Sequence, residues 1–382
     1  MSQRFEYGTA RINDFNVHST ITKGKVTAST VALGGQVFKA NKRFWNSLHM
    51  RYGFTSNIFR YFSHQEVFDR INQVNPEDEI RYCVSYDEDD KGQLLAISSP
   101  TSAVINYDEL QGLLKKYGAE EIKYANGVVT SRHKPRNAGT FDIAGDDFQN
   151  KFVLQAPIDG FGKPCVYLSL LRLVCSNGAI AMTPVFRSEL NPGRSGGSTE
   201  YSLTRVLDGF NNEEGYDALS KRFDSASRSW ASVNEVNRLY KTISRLSFKQ
   251  SEAGKAKAKK NAEAIIGTDG VAEDGTKLNV FRSFNQMTGN LAEIYGLANM
   301  NALSAKRQRT LPTACTIYDL INFTSEVATH HVAPEDSRKL QAYLGDLIST
   351  EYDLEGTVEH FPNWKDFFIG NGETTSTLAG MS

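Results

Sequence analysis

The chain has 382 residues and a mass of 42.5 kDa, which leaves room for about two or three domains. Hydrophobic residues make up 40% and charged residues 23%, values that exclude a wholly disordered chain and a collagen-like repeat. Lysine and arginine number 43 against 44 acidic residues. The net charge of −1 therefore gives no overall attraction to nucleic acid or membrane, and any such partner must meet a local patch.

The four cysteines are dispersed, with no Cys-x-x-Cys pair and no histidine cluster beside them. Zinc sites and disulfide frameworks have closer spacing, so we expect reduced thiols and no metal or other cofactor. Residues 1–7 lack the apolar core of a secretory signal. Residues 166–182, the most apolar stretch, are too few and too polar to span a bilayer. The sequence thus predicts a cytoplasmic protein without membrane contact.

Residues 66–200 have the pattern of an antiparallel sheet domain. Two hairpins are indicated, one around the polar run 87–92 and one around Asn126-Gly127, a pair that type I′ turns favour. Between them, leucines at helical spacing in residues 108–117 predict a short amphipathic helix. We expect a curved sheet backed by helices. The predicted strands are residues 80–86, 94–98, 122–124, 128–131, 152–156 and 165–174.

Beyond residue 200 the hydrophobic pattern takes the period of a helix. Apolar residues from Leu219 to Ile243 recur at steps of three, four or seven, which predicts one long helix. Residues 317–328 and 337–348 are two further predicted helices. Strands followed by helices indicate an α+β fold, with a mostly helical C-terminal half. The predicted divisions are a basic, aromatic N-terminal segment, a sheet domain, a helical region and a flexible tail, at residues 1–65, 66–200, 201–370 and 371–382.

The charge pattern is most unusual near the N-terminus. No acidic residue occurs from Phe15 to Gln65, where the average composition would place about six. The same window contains seven cationic and nine aromatic side chains. A surface for single-stranded nucleic acid needs both, because cations neutralise phosphates and each base stacks on a ring for about 1–3 kcal/mol. The alternative is that the rings form a core and the charged groups extend into water.

A second basic run extends from Arg238 to Lys260 and contains eight cations against one acid, Glu252. Four of these cations are separated by three, four and four residues, which places them on one face of a helix. They would repel one another unless an anion lay alongside, although a solvated face is the common explanation of such a run. The four are Arg238, Lys241, Arg245 and Lys249.

No set of residues meets the requirements of an active site. Cys175 with His133 as its base could form a nucleophile, but a buried strand thiol explains the cysteine equally well. Four aspartates could hold a divalent metal, although two of them are adjacent and would point to opposite faces of a strand. The sequence therefore favours a protein without enzymatic activity. The aspartates are Asp142, Asp146, Asp147 and Asp159.

Residues 172–178, Arg-Leu-Val-Cys-Ser-Asn-Gly, resemble the signature of a family of phage- and plasmid-encoded proteins known as domain of unknown function 932. The resemblance extends over roughly residues 80–350 and implies a mobile-element protein of the bacterial host cytoplasm. Members tend to belong to replication and recombination gene sets, which implies an accessory role in DNA metabolism. Arg172 would then be a phosphate contact or half of an ordinary ion pair. Further similar segments are residues 145–148, 156–160, 316–326 and 340–345.

These features together predict a non-enzymatic phage protein of DNA replication or recombination. It would bind single-stranded nucleic acid, DNA in the first instance, and act as an annealing-type homo-oligomer. Two other classes stay open: a structural component of the virion, and a metal-dependent nuclease that uses the aspartates. The predicted contact residues are Lys39, Lys42, Arg43, Trp45, Arg51, Tyr52, Arg60, Arg172, Arg238, Lys241, Arg245, Lys249 and Lys255.

Overall fold

A computed structural model describes residues 4–22, 25–143, 145–172, 178–180, 186–191, 196–248, 275–289, 291, 303–332 and 334–349. Within these ranges the protein is of the α+β class, and its C-terminal half is richer in helix, which confirms the predicted fold class. The strands are β1 (Arg4–Arg11), β2 (Asn16–Thr22), β3 (Lys25–Leu33), β4 (Gln36–Ala40), β5 (Glu79–Tyr86), β6 (Gly92–Ser98), β7 (Glu121–Ala125), β8 (Val128–His133), β9 (Thr140–Ile143), β10 (Asp146–Pro157), β11 (Cys165–Arg172), β12 (Gly178–Ile180), β13 (Arg187–Glu189), β14 (Trp230–Ser232) and β15 (Pro312–Thr316). The α-helices are α1 (Lys42–Tyr52), α2 (His64–Val74), α3 (Tyr107–Lys116), α4 (Gly196–Gly209), α5 (Glu213–Arg228), α6 (Val233–Ile243), α7 (Gly275–Thr288), α8 (Ala305–Thr310), α9 (Ile317–Glu326) and α10 (Pro334–Ser349).

The first sheet has six strands in the order β1-β5-β6-β4-β3-β2. Neighbouring strands run antiparallel, except that β4 and β6 are parallel where Lys39 faces Gln93. The sheet combines residues 4–40 with residues 79–98, so its strands come from both sides of the predicted boundary at residue 65. The acid-free window therefore supplies three strands to the same sheet as the predicted hairpin of β5 and β6.

Alternation along β5 separates the two faces of this sheet. Ile80 and Val84 belong to the hydrophobic core that α1 and α2 cover. Cys83, which pairs with Tyr7 on β1, belongs to the opposite face of the sheet. Helix α1 packs on β6, and α2 packs on β2. Side chains of the acid-free window make up much of this core: Phe15, Val17, Val31, Leu33, Phe38, Phe44, Trp45 and Leu48.

The second sheet follows the order β12-β11-β10-β8-β7, with β9 beside β10 and β13 beside β11. The predicted turn between β7 and β8 is confirmed, because Asn126 and Gly127 both have positive φ, 48° and 85°. Glycine is required at the second position for another reason as well: a Cβ there would collide with the carboxylate of Asp159. The predicted helix of residues 108–117 is confirmed as α3, with Asn106 as its N-cap.

The chain divides into two compact units. The first comprises Met1–Arg136, Val153–Val166 and Ser188–Phe210. The second comprises Asn137–Phe152, Tyr167–Arg187 and Asn211–Ser382. The division passes through β10 and β11, and each unit has its own buried core.

In the second unit, α5, α9 and α10 pack against one another, and β14 pairs with β15. Aromatic rings join β10 to these helices: the centroid of Phe148 lies 5.8 Å from that of Phe223 on α5 and 6.3 Å from that of Tyr318 on α9. Two predicted helices are confirmed here, residues 317–328 as α9 and residues 337–348 as α10.

The prediction of one long helix from Leu219 to Ile243 was wrong. The chain forms α5, the short strand β14 and then α6. A new helix begins because Ser232 is an N-cap: its side chain accepts a hydrogen bond from the backbone N–H of Glu235, whose carboxylate accepts from the N–H of Ser232 in return. The apolar period survives the break because both helices bury their faces in the same core.

Several predictions fall outside the described residues: most of a loop that the sequence predicts at residues 267–276, the tail from residue 371, Cys175, Lys249 and Lys255. The last two residues of that loop, Gly275 and Thr276, begin α7 instead. Among the described residues, no helix has the length and apolar character needed to cross a membrane.

Candidate nucleic-acid interface

Helix α1 carries five of the predicted contact residues. It begins at Lys42 because the side chain of Asn41 accepts a hydrogen bond from the N–H of Phe44, at 2.8 Å. It ends at Gly53, whose φ of 70° lets the chain turn toward the 3-10 helix Ser56–Arg60. Its apolar residues face the sheet, so the ring of Trp45 is buried in the core and is not an exposed surface for a base. The five are Lys42, Arg43, Trp45, Arg51 and Tyr52.

Arg51 and Tyr52 hold the same carboxylate. The Arg51 guanidinium donates to both oxygens of Asp78, at 2.8 and 2.7 Å, and the Tyr52 hydroxyl donates to Asp78 Oδ2 at 2.8 Å. The hydrogen bonds from Arg51 lower the pKa of Asp78 below its usual range. This bidentate pair fixes the end of α1 to the start of β5, and the charge of Arg51 is already neutralised within the fold.

Arg43 forms a more deeply buried pair with Asp159. The side chain of Arg43 is 17% exposed and that of Asp159 is 0% exposed. Nη2 of Arg43 lies 2.9 Å from Asp159 Oδ1, its Nε donates to Oδ2, and the guanidinium also donates to the carbonyl of Phe161. Burial raises the pKa of Asp159, while the hydrogen bonds from Arg43 act in the opposite direction. Arg43 therefore fixes the turn after β10 and is not presented to solvent.

Two predicted cations of the second unit also have carboxylate partners. Arg172 Nη2 lies 2.5 Å from Asp146 Oδ1, and the hydroxyl of Tyr318 donates to the other oxygen of Asp146 at 2.6 Å. Arg172 is thus half of an ion pair, which was one of the two possibilities that the sequence left open. Arg238 forms a more exposed pair with Asp346.

Lys241 and Arg245 differ from those two cations. Both side chains are exposed, and neither forms an ion pair with a residue in the described ranges. The predicted four-cation face of the second basic run is therefore split. Arg238 is occupied by a carboxylate, two cations are exposed to solvent, and Lys249 lies outside the described residues.

Seven of the nine rings of the acid-free window are buried in the core of the first unit or packed against it. Phe15, Phe38 and Phe44 are buried together with Trp45, so the alternative explanation from the sequence accounts for these four. Two consecutive rings differ: Tyr61 is 81% exposed and Phe62 is 45% exposed. They directly follow the 3-10 helix Ser56–Arg60.

Three cations of the window are exposed and form no ion pair within the described residues. Lys42 lies on the same face of α1 as His49, seven residues on, and the ring of His49 contacts that of Phe59, at 5.1 Å between centroids. Arg60 ends the 3-10 helix Ser56–Arg60, one residue after Phe59. We call the exposed side chains of this region the basic patch: Lys39, Lys42, Arg60, Tyr61 and Phe62.

Two histidines of the same region pack among aromatic rings. The ring of His64 stacks on Phe59 at 4.1 Å and lies 4.3 Å from Trp45, and His49 lies 4.8 Å from Phe54. Burial lowers the pKa of both histidines, and the charge of His49 lowers that of His64 further. These contacts join α1, the 3-10 helix Ser56–Arg60 and α2, and they position the exposed rings that follow Arg60.

An open groove lies between the end of α1 and α2, and it was not predicted. Its one unpaired cation among the described residues, Arg70, follows the acid-free window and is flanked by acids, so the charge pattern does not single it out. The spacing of Val67, Ile71 and Val74 by four and three residues was a detectable signal, because it indicates an apolar stripe along α2. The groove is lined by Tyr52, Phe54, Ile58, Phe62, Glu66, Val67, Arg70, Ile71, Val74 and Asn75.

The described residues offer little to the catalytic alternatives. They contain no group of three or more side chains that could hold a metal ion. Asp142 and Asp147 are cross-strand neighbours on β9 and β10. Asp146 and Asp159 form ion pairs with Arg172 and Arg43. Burial raises the pKa of Cys83 far above its usual value, so that thiol remains protonated.

Comparison of this chain with protein-family models, with curated proteins and with solved structures finds no match. The resemblance of residues 172–178 to the phage and plasmid family stays a prediction.

Proposed function

We propose that this chain is a non-enzymatic phage protein of DNA replication or recombination that binds single-stranded nucleic acid through the basic patch and acts as an annealing-type oligomer. The mobile-element setting rests on the resemblance of residues 172–178. The binding activity rests on the basic patch itself.

One observation carries the proposal. Among the described side chains of a window of 51 residues without an acid, three cations and two aromatic rings remain exposed after the fold has formed its own core and ion pairs. Cations that lack internal partners are available to phosphates, and exposed rings are available to unpaired bases. Arg43, Trp45, Arg51, Tyr52, Arg172 and Arg238 are left out of the proposed contact set because the fold already uses them.

Oligonucleotide binding at two salt concentrations tests the proposal. A labelled single strand is titrated with the full chain at about 50 and about 200 mM salt, and binding is followed by fluorescence anisotropy. We expect binding that weakens with salt. We expect Lys42→Ala combined with Arg60→Ala to reduce the slope of log K against log salt by about 1.4, since each lost phosphate contact on a single strand contributes about 0.7.

Lys115 and Lys116 provide the matched control. Both are exposed on α3 in the same unit, outside the basic patch. Replacing both with alanine removes the same charge and should leave the slope unchanged. Absence of binding at about 50 mM salt, or binding without a salt slope, would refute the proposal.

A further inference from the structure

The groove between α1 and α2 has the dimensions of a small binding site. It has a volume of about 280 Å³ and opens to solvent. Sites for small organic ligands begin at about 300 Å³, so this groove can take one ring system and not a whole nucleotide.

Its floor is apolar and well packed. Val67 and Ile71 on α2 are 6% and 8% exposed and belong to the core of the first unit. Val74, one turn further along the same face, is 76% exposed and forms the rim. The floor therefore resists collapse, while the rim remains in water.

Aromatic rings form its walls. Tyr52 and Phe54 are half-buried at the end of α1, and the hydrogen bond from the Tyr52 hydroxyl to Asp78 holds that ring in place. Phe62, which belongs to the basic patch, stands at the mouth of the groove and is 45% exposed. A planar ligand could stack on these walls with little loss of side-chain freedom.

The rim carries one charge of each sign, Arg70 and Glu66. Arg70 lines the groove, is exposed and forms no ion pair within the described residues. Glu66 also lines it, and its carboxylate contacts the N–H of Ser63 at 2.7 Å and the hydroxyl of Ser63 at 2.9 Å. These bonds, and the charge of Arg70 to a lesser extent, lower the pKa of Glu66, so this carboxylate stays ionised and its contacts hold it at Ser63. An anionic group at the mouth would thus meet Arg70, with Arg60 near Phe62 in the chain.

We propose that this groove takes one unstacked base of a bound single strand, with Arg70 and Arg60 contacting the phosphates on either side. An apolar floor, aromatic walls and an exposed arginine at the rim match a flat base on an anionic backbone, whereas an aliphatic peptide side chain would leave both arginines unused. The inference rests on the proposed function and deepens it. The preferred substrate becomes a strand with unpaired bases, since the bases of a duplex are stacked and cannot enter.

Two strands of equal charge test the inference. The affinity of the full chain for an oligothymidine of about eight nucleotides is compared with that for an abasic strand of the same length, at about 50 mM salt. Both strands carry the same phosphates, so their difference reports the bases. We expect the abasic strand to bind about tenfold more weakly.

Val74→Trp then tests whether the base binds in this groove. The indole should fill the groove from its rim, and the exposure of Val74 makes the substitution compatible with folding. Gln73→Trp, at an exposed neighbour on α2 that does not line the groove, is the matched control. We expect V74W to lose most of the advantage of the base-containing strand, and Q73W to keep it.

Equal binding of both strands to the unaltered protein would overturn the inference, and so would a V74W protein that keeps the advantage, as expected if the groove serves an apolar peptide. In either case the proposed function would stand, because a strand is still bound. If neither strand binds, the proposed function itself fails, and the inference fails with it.

Discussion

The buried pair of Arg43 and Asp159 allows a structural role to be separated from a nucleic-acid contact. Asp159 is completely enclosed, so removal of its partner would leave a carboxylate buried without a counter-charge. We expect Arg43→Ala to lower the free energy of unfolding by about 3–5 kcal/mol, measured by urea denaturation. The pair fixes the turn that ends in the carbonyl of Phe161, so the loss should be structural and should leave the salt slope of oligonucleotide binding unchanged.

Arg4 is the control for that substitution. It forms a pair with Asp90 at 2.9 Å, in which the two side chains are 57% and 75% exposed. Exposed pairs contribute about 0–1 kcal/mol, so Arg4→Ala should change the free energy of unfolding by less than about 1 kcal/mol. Equal losses for the two variants would contradict the structural role of Arg43.

The sequence could not show which cations form ion pairs, because the carboxylates that pair with them are distant in the chain. Asp78 lies 27 residues after Arg51, and Asp159 lies 116 residues after Arg43. A window without acids is therefore not a region without carboxylates once the chain has folded. By contrast, the Asn126-Gly127 turn was predictable, because its backbone requirement is local.

At the scale of elements, the histidine cluster ties the stability of the α1–α2 region to pH. The pKa values of His49 and His64 are lowered in the folded state by burial, and that of His133 on β8 is lowered for the same reason. As the pH falls through the ordinary imidazole value of about 6.5, the unfolded chain binds protons that the folded chain does not. The stabilisation is complete above that pH and is lost below it, so we expect a lower urea midpoint at about pH 5.5 than at about pH 7.5.

Phenylalanine at both positions of the cluster provides the test of this assignment. His49→Phe combined with His64→Phe keeps the ring packing and removes two titrating groups, so the fall in midpoint should shrink to the part that His133 contributes. An unchanged fall in the double variant would exclude the cluster as its source.

Element boundaries show where periodicity reaches its limit. The apolar stripe from Leu219 to Ile243 correctly identifies buried residues, but a strand and a new helix start interrupt it. The interruption depends on pairing of β14 with β15, whose residues lie about 80 positions later, and on the cap at Ser232. The cap was visible in the sequence as Ser-x-x-Glu, whereas the pairing was not.

At the scale of the whole molecule, a net charge of −1 means that any attraction for an anionic strand must come from the few cations that the fold leaves unpaired. Each of the two units has such cations among its described residues. The first has those of the basic patch, and the second has Lys241 and Arg245. A strand bound by one unit should therefore gain affinity when it is long enough to reach the other as well.

The cations of the second unit should therefore contribute to the affinity for a long strand and not to that for a short one. We expect a strand of about 40 nucleotides to bind at least about tenfold more tightly than one of about eight. Lys241→Ala combined with Arg245→Ala should remove most of that gain and leave the affinity for the short strand unchanged. Lys221→Ala combined with Arg228→Ala removes the same charge from α5 of the same unit, where Arg228 is already paired with Asp224, and should preserve the gain. Fluorescence anisotropy with both strands and both variants measures this directly. If the two double variants weakened the long strand equally, the gain would reflect overall charge and not a second binding surface, because only a local surface distinguishes between positions on one unit.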